Sequence, residues 1–241
     1  MRPRRYAPDW RRDVRLADGS PARFRWLRPG DAEKLRDGFA RLSPETVRLR
    51  FHGARSALRD TELRYLTGCD QEHHLAICAV ALGPSGEELG GLGVARCVRL
   101  EGEPNVAESA VVVADAAQRR GLGRRLLVHL ARAALERGID TFRCEVLEEN
   151  AGVRGLLASL APTVVVRDAD VTDLDERALV DGRLQAEEPR VLVIDVPLSE
   201  EGLRGGALTF SATALAGLLR LMAARALAPL NRLLSRRDGA Q

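Results

Sequence analysis

The sequence predicts a single mixed α/β sheet with helices on both faces, and three observations carry that expectation. Several helical segments stand between the first strand and the next. Two apolar runs, Leu75 to Leu82 and Leu89 to Val98, flank the turn Gly83-Pro84-Ser85-Gly86 and read as neighbouring antiparallel strands. At Gly121 the apolar period changes from extended to helical, and the chain then continues as strand, helix, strand, helix, strand.

Taken in order, residues 1 to 12 are basic and carry prolines, which predicts a mobile arm. The domain expected over 13 to 198 opens with Arg23 to Arg28, which alternates polar and apolar residues as a strand does. Pro29-Gly30-Asp31 turns, and Asp31 is expected to cap a helix reaching Ala40. A second helical segment covers Pro44 to Phe51, and Asp60 is expected to cap a third toward Leu66. After the two apolar strands, Glu101 to Asn105 reads as a loop, and Val111 to Val113, β-branched throughout, as the end of a buried strand closed by Asp115.

Leu122, Leu126, Leu127 and Leu130 then recur at helical spacing up to a C-cap at Gly138. Thr141 to Leu147 is a strand, Asn150 to Leu160 a short helix, and Thr163 to Arg167 and Arg190 to Val196 are two strands around an acidic stretch, Asp168 to Glu188. In the extension expected over 199 to 241, Leu215, Leu218, Leu219, Met222 and Ala226 line one face of an amphipathic helix broken near Pro229. Arg220 and Arg225 interrupt the apolar run and argue against a spanning helix. Packing on the domain or on a second copy, as in a homo-dimer, is the leading reading of this face; attachment to a membrane interface, favoured by Arg232, Arg236 and Arg237, is the alternative.

Composition narrows the function classes. A net charge of +3 is too small to argue for nucleic acid, and 241 residues bury one substantial core. Cys69, Cys78, Cys97 and Cys144 lack zinc spacing and read as buried thiols of a reducing compartment; with no apolar run after the basic N-terminus, a cytoplasmic location is expected. No metal site is expected. Lys34 is the only lysine, so self-acetylation would be read at a single side chain.

The richest stretch runs from Glu108 to Arg124. Its strand turns directly into a helix start, where the first N–H groups lack intrahelical partners and the macrodipole is positive, so the site attracts an anion. Gly121 and Gly123 let a ligand approach the main chain, while Arg119, Arg120 and Arg124 add charged donors. A dinucleotide fingerprint would need glycine where Leu126 stands, and a Walker loop would need a following lysine. A plain tight turn is the structural alternative.

Gln118-Arg119-Arg120-Gly121-Leu122-Gly123 resembles the Gln/Arg-x-x-Gly-x-Gly/Ala loop of the Gcn5-related N-acetyltransferases, the GNAT superfamily. Leu27-Arg28-Pro29-Gly30-Asp31-Ala32 is similar to that family's opening strand and helix, and Arg41 to Thr46 with Leu49-Arg50-Phe51 resembles a bacterial protein-lysine acetyltransferase branch of the Pat kind. The resemblance spans about residues 13 to 197. It implies a mixed, mostly antiparallel central sheet flanked by helices, with acetyl-CoA as co-substrate and its pyrophosphate on Gln118, Arg119, Arg120, Gly121, Leu122, Gly123 and Arg124. It also implies main-chain contacts from Val111, Val112 and Val113 to the pantetheine arm, as though the ligand were an added half-strand. Asn150 matches a cofactor-contacting asparagine, and equally suits a helix N-cap.

Acetyl transfer to a lysine needs a base, because the amine is mostly protonated at neutral pH. Glu108 matches the catalytic glutamate of lysine-modifying relatives and is the expected base, with Asp70, Glu72, Glu145 and Glu148 as rivals; a solvated strand-end acid is its structural alternative. Two departures stand out. Leu157 occupies the place of the tyrosine that protonates the leaving thiolate in many relatives, and Ala161-Pro162 replaces a usual Gly-Phe. The expected activity is transfer of acetyl to an amine, with a protein lysine first, a small-molecule amine second, and a non-catalytic acyl-CoA-binding scaffold as the contrasting class.

Overall fold

The strands assemble into one eight-stranded sheet in a computed structural model that describes residues 4–53, 55–161, 163–168 and 190–204. The elements are β1 Arg11–Arg15, β2 Pro21–Trp26, α1 Ala32–Ala40, α2 Pro44–Phe51, α3 Asp60–Thr67, β3 His74–Leu82, β4 Glu88–Leu100 and β5 Glu103–Val113. They continue with α4 Leu122–Leu135, β6 Thr141–Leu147, α5 Ala151–Ala158, β7 Val165–Asp168, β8 Val191–Pro197 and α6 Glu200–Arg204. The spatial order is β1-β2-β3-β4-β5-β6-β8-β7, and every neighbouring pair is antiparallel except β5 with β6. The expected mixed, mostly antiparallel sheet is therefore the one observed.

Side-chain alternation divides the core. Leu75, Ile77 and Ala79 of β3 join the main cluster beneath α4, whose Leu122, Leu126, Leu127, Leu130 and Ala134 are all buried. Ala76, Cys78 and Val80 point the other way, toward the face that α1, α2 and α3 cover with Phe39, Val47 and Leu63, joined by Leu58 just before α3. β4 carries a bulge where Val80 pairs with Gly91 and Ala79 with Gly93. Gly93 is required there, since a Cβ would lie 2.8 Å from the Val112 carbonyl oxygen.

Several local expectations are corrected. The described residues 4 to 12 of the expected arm are tied to the domain: Tyr6 is fully buried, its hydroxyl lies 2.8 Å from His129 Nδ1, and Trp26 Nε1 donates to the Ala7 carbonyl at 2.9 Å. Arginine-rich composition hid two aromatic anchors, Tyr6 and Trp10, whose tilted rings have centroids 4.7 Å apart. Asp31 precedes α1 but makes no capping bond to it, because Arg25 claims both its oxygens at 2.7 and 2.8 Å. Arg25 is 3% exposed and also grips Glu88 at 2.7 and 2.8 Å, so the buried guanidinium is matched by two carboxylates.

Asp60 is the first residue of α3 rather than its cap; Arg59 precedes it, and Glu62 closes the end by accepting from Arg59 N at 2.8 Å. The loop at 101 to 105 is shorter than expected, since β5 already starts at Glu103. Leu203 of α6 lies in the segment expected to be an extension, yet it is buried in the main core. The acidic stretch beyond Asp168 and the amphipathic helix of the extension lie outside the described residues. Among the described residues no helix is long and apolar enough to cross a membrane, and the four cysteines are free thiols.

Candidate active site

The site begins with a break in the sheet. β5 and β6 are joined only at Val106 with Thr141, Ala107 with Phe142 and Glu108 with Arg143. Past that rung, β5 stays on β4 as far as Val113 and β6 stays on β8 as far as Leu147, so the two strands diverge. A cavity of about 540 Å³ fills the gap, with Val111, Val112 and Val113 on one wall and Cys144, Glu145 and Asn150 on the other.

Its floor is the loop into α4. Arg119 (φ 59°) and Gly121 (φ 73°) both take left-handed backbone, which turns successive N–H groups toward one point. Gly121 is the N-cap of α4 and supplies no side-chain acceptor to the helix's first N–H groups. At Gly123 a Cβ would sit 3.2 Å from Leu156 Cδ2 and 3.5 Å from Val113 Cγ2, so the helix meets the cavity wall through bare backbone. An anionic, extended ligand with a phosphate group fits this floor by its chemistry: open N–H groups, the positive end of a 14-residue helix, and Arg119 and Arg124 on the lining.

The loop is braced from α2. Asp115 accepts from Ser43 N and Ser43 Oγ at 2.8 Å each and from Thr46 Oγ1 at 2.6 Å. Partial burial would raise the Asp115 pKa, but the Thr46 and Ser43 bonds outweigh it and hold it below the usual range. Gln118 Nε2 donates to the Val113 carbonyl at 3.1 Å and to Thr46 Oγ1 at 3.2 Å, so its side chain works as a strut. Arg120 departs from its expected role: its guanidinium is 2.5 Å from Asp18 on the β1–β2 turn and does not line the cavity. Asn150 is buried and its Oδ1 accepts from Val153 N at 3.1 Å, the N-cap geometry, while the residue also lines the cavity.

Glu108 sits on the last shared rung, exposed, next in the chain to lining residue Ser109 and not itself on the lining. Its rivals are mostly engaged elsewhere. Asp70 accepts from the N–H groups of Glu72, His73 and His74 at 2.8–2.9 Å; burial alone would raise its pKa, but these bonds bring it down to about 2. Glu72 pairs with Arg4, and Glu148 lies 4.0 Å from Arg190. Glu145 is exposed on the cavity wall and stays the one rival with access.

Two lining residues lay in stretches quoted for the family resemblance or the anion loop but were given no site role. Ser109 is 4% exposed and its hydroxyl has no hydrogen-bond partner, and Arg50 reaches in from α2. Leu157 is buried on the wall; the two tyrosines are elsewhere, Tyr6 beside His129 and Tyr65 beside His74. Among the described residues no group of His, Cys, Asp and Glu could hold a metal ion.

Residues 48–161, which hold the β5 wall, the loop and α4, match the family model described as Acetyltransferase (GNAT) family. The chain carries a GNAT-family domain. Acetyltransferase Pat of Mycolicibacterium smegmatis is 31% identical over 166 residues, 67% of this chain and 48% of its own length, so the chain spans about half of that curated relative. Among solved structures, the GNAT domain of S. lividans PAT superposes with a TM-score of 0.60 at 27% identity, covering 78% of this chain and 97% of that one. The GNAT fold is likewise shared with yncA of Salmonella typhimurium, solved with its cofactor acetyl-CoA, at TM-score 0.52 and 19% identity over 74% of this chain and 95% of that one.

Proposed function

We propose that the protein is an acetyl-CoA-dependent N-acetyltransferase whose acceptor is a protein lysine side chain, acting in the cytoplasm. The observation that carries this reading is the divergence of β5 from β6 above an uncapped helix start: one wall of free strand backbone leads straight onto an anion-binding floor. When bound, acetyl-CoA supplies an activated thioester.

The protein's own groups divide the remaining work. N–H groups at the start of α4, with Arg119 and Arg124, hold the pyrophosphate. Main-chain groups of Val111 to Val113 align the pantetheine arm as an added half-strand and leave a strand N–H to stabilise developing negative charge on the carbonyl oxygen. Glu108 takes the proton from the acceptor ammonium, directly or through water, which its exposure beside the lining residue Ser109 permits. With Leu157 where relatives place tyrosine, the chain offers no phenol here, so the thiolate leaves unprotonated or takes its proton from water.

The test compares wild type with Glu108→Gln on acetyl-CoA and a cell extract, reading protein acetylation and small-amine acetylation separately. Loss of a general base predicts a fall of about 10²–10³-fold in turnover with CoA affinity unchanged. Full activity in Glu108→Gln removes Glu108 from the role and points to Glu145. Tight CoA binding by a wild type that transfers nothing would favour a non-catalytic acyl-CoA-binding scaffold.

A further inference from the structure

A second cavity, of about 100 Å³, lies on the face of the sheet covered by α1, α2 and α3. Its walls are largely apolar, with Phe39, Leu42, Phe51 and Leu66 among them, yet two guanidinium groups line it. Arg96 stands on β4 and is 9% exposed; its Nη2 donates to the Leu66 carbonyl at 2.5 Å, while buried Nη1 has no partner. Arg50 has its Cζ 5.0 Å from the centre of the Phe51 ring and makes no hydrogen bond or ion pair among the described residues. No carboxylate lines the cavity, and Lys34, held by Glu88 at 3.0 Å, adds a third cation to the wall.

Two guanidinium groups facing one apolar cavity with no carboxylate on its walls is an arrangement that destabilises the empty fold. Burial lowers the pKa of both, that of Arg50 to about 10, with the charge of Arg96 as the next cause and Glu108 opposing. A planar carboxylate is the partner that a guanidinium fork accepts best, and the apolar walls suit a short aliphatic chain behind it. Arg50, Ala110 and Val112 line this cavity and the larger cleft alike, so the two meet at β5.

We propose that Arg50 and Arg96 form a carboxylate subsite for the acetyl acceptor, so that the amine to be acetylated lies a short aliphatic distance from an anion. The proposal rests on the acetyltransferase reading of the adjoining cleft. The carboxylate belongs to a free amino acid or to an acidic side chain beside a lysine in a protein; the chemistry at the two arginines is the same.

Matched acceptors test it: 5-aminopentanoate against pentylamine, and a lysine peptide with glutamate beside the lysine against the same peptide with glutamine. Wild type should favour the anionic member of at least one pair by about tenfold or more in kcat/KM, the scale of a charge-assisted pair. The first pair responding assigns the free amino acid, the second the protein. Arg96→Gln and Arg50→Gln should abolish the preference through KM, bringing the anionic and neutral members of each pair to equal kcat/KM. Arg50 makes no hydrogen bond or ion pair among the described residues, so Arg50→Gln should keep or raise Tm, which guards against a trivial loss of structure.

Equal kcat/KM within both pairs overturns the subsite and leaves the acetyltransferase reading standing. A Tm rise with 5-aminopentanoate but not pentylamine, lost in Arg50→Gln, supports the subsite even if no acetyl transfer occurs. The absence of that rise together with absent discrimination would sink it.

Discussion

At the residue scale, Gly123 is where the floor is most exposed to test. Its missing side chain leaves contacts of 3.2 and 3.5 Å that a Cβ would crowd, and a carboxylate there would stand where phosphate belongs. Gly123→Glu should therefore abolish CoA binding in calorimetry while the far-ultraviolet circular dichroism of the fold persists; unchanged affinity refutes the cradle. His129 offers a pH-dependent test. Burial, then the positive charges of Arg12 and Arg132, depress its pKa to about 4. The unfolded chain thus binds a proton below about pH 6.5 that the folded chain refuses, so stability is lost as pH falls from about 6.5 toward 4. His129→Gln should flatten this slope by on the order of 2 kcal/mol between pH 6.5 and 4.5, read as ΔG from urea melts at each pH. Among residues, the loop glycines and Asn150 were legible in the sequence because turn chemistry is local. The cleft positions of Arg50 and Ser109 were not, since their meaning arises only when α2 and β5 come together.

At the element scale, α2 matters less for its apolar face than for its first turn. Ser43 and Thr46 present their hydroxyls to Asp115, and Gln118 ties Thr46 to the end of β5, so one network fixes a helix, a strand end and the anion loop. Asp115→Ala should lower CoA affinity about tenfold and Tm by several degrees, the losses expected when hydrogen bonds of roughly 1 kcal/mol each no longer hold the loop. Unaltered affinity would make the network ornamental to binding. Element positions were readable where period and turn signals agreed, as for Pro44–Phe51 and Thr141–Leu147, which match their expected limits. They failed where a charged residue had a distant partner: Asp31 looks like a cap in one dimension and is an Arg25 ligand in three.

At the scale of the whole molecule, the N-terminal residues close one end of the structure. Tyr6 sits against His129 of α4, and Arg137 Nη2 donates to the Tyr6 carbonyl at 3.1 Å. Tyr6→Ala should cost about 3 kcal/mol, or about 10 °C in Tm, and scanning calorimetry would show it. A shift under 2 °C would restore the picture of a dispensable arm. The divergence of β5 and β6 has a larger consequence. A sheet that loses its ladder partway leaves polar main chain on β5 with no neighbouring strand, an open edge in the middle of the fold. Whatever completes that edge becomes part of the folded state, so ligand saturation and resistance to unfolding are linked quantities. The unliganded protein is in this sense an unfinished sheet, and its thermal stability should track the cell's supply of the molecule that finishes it.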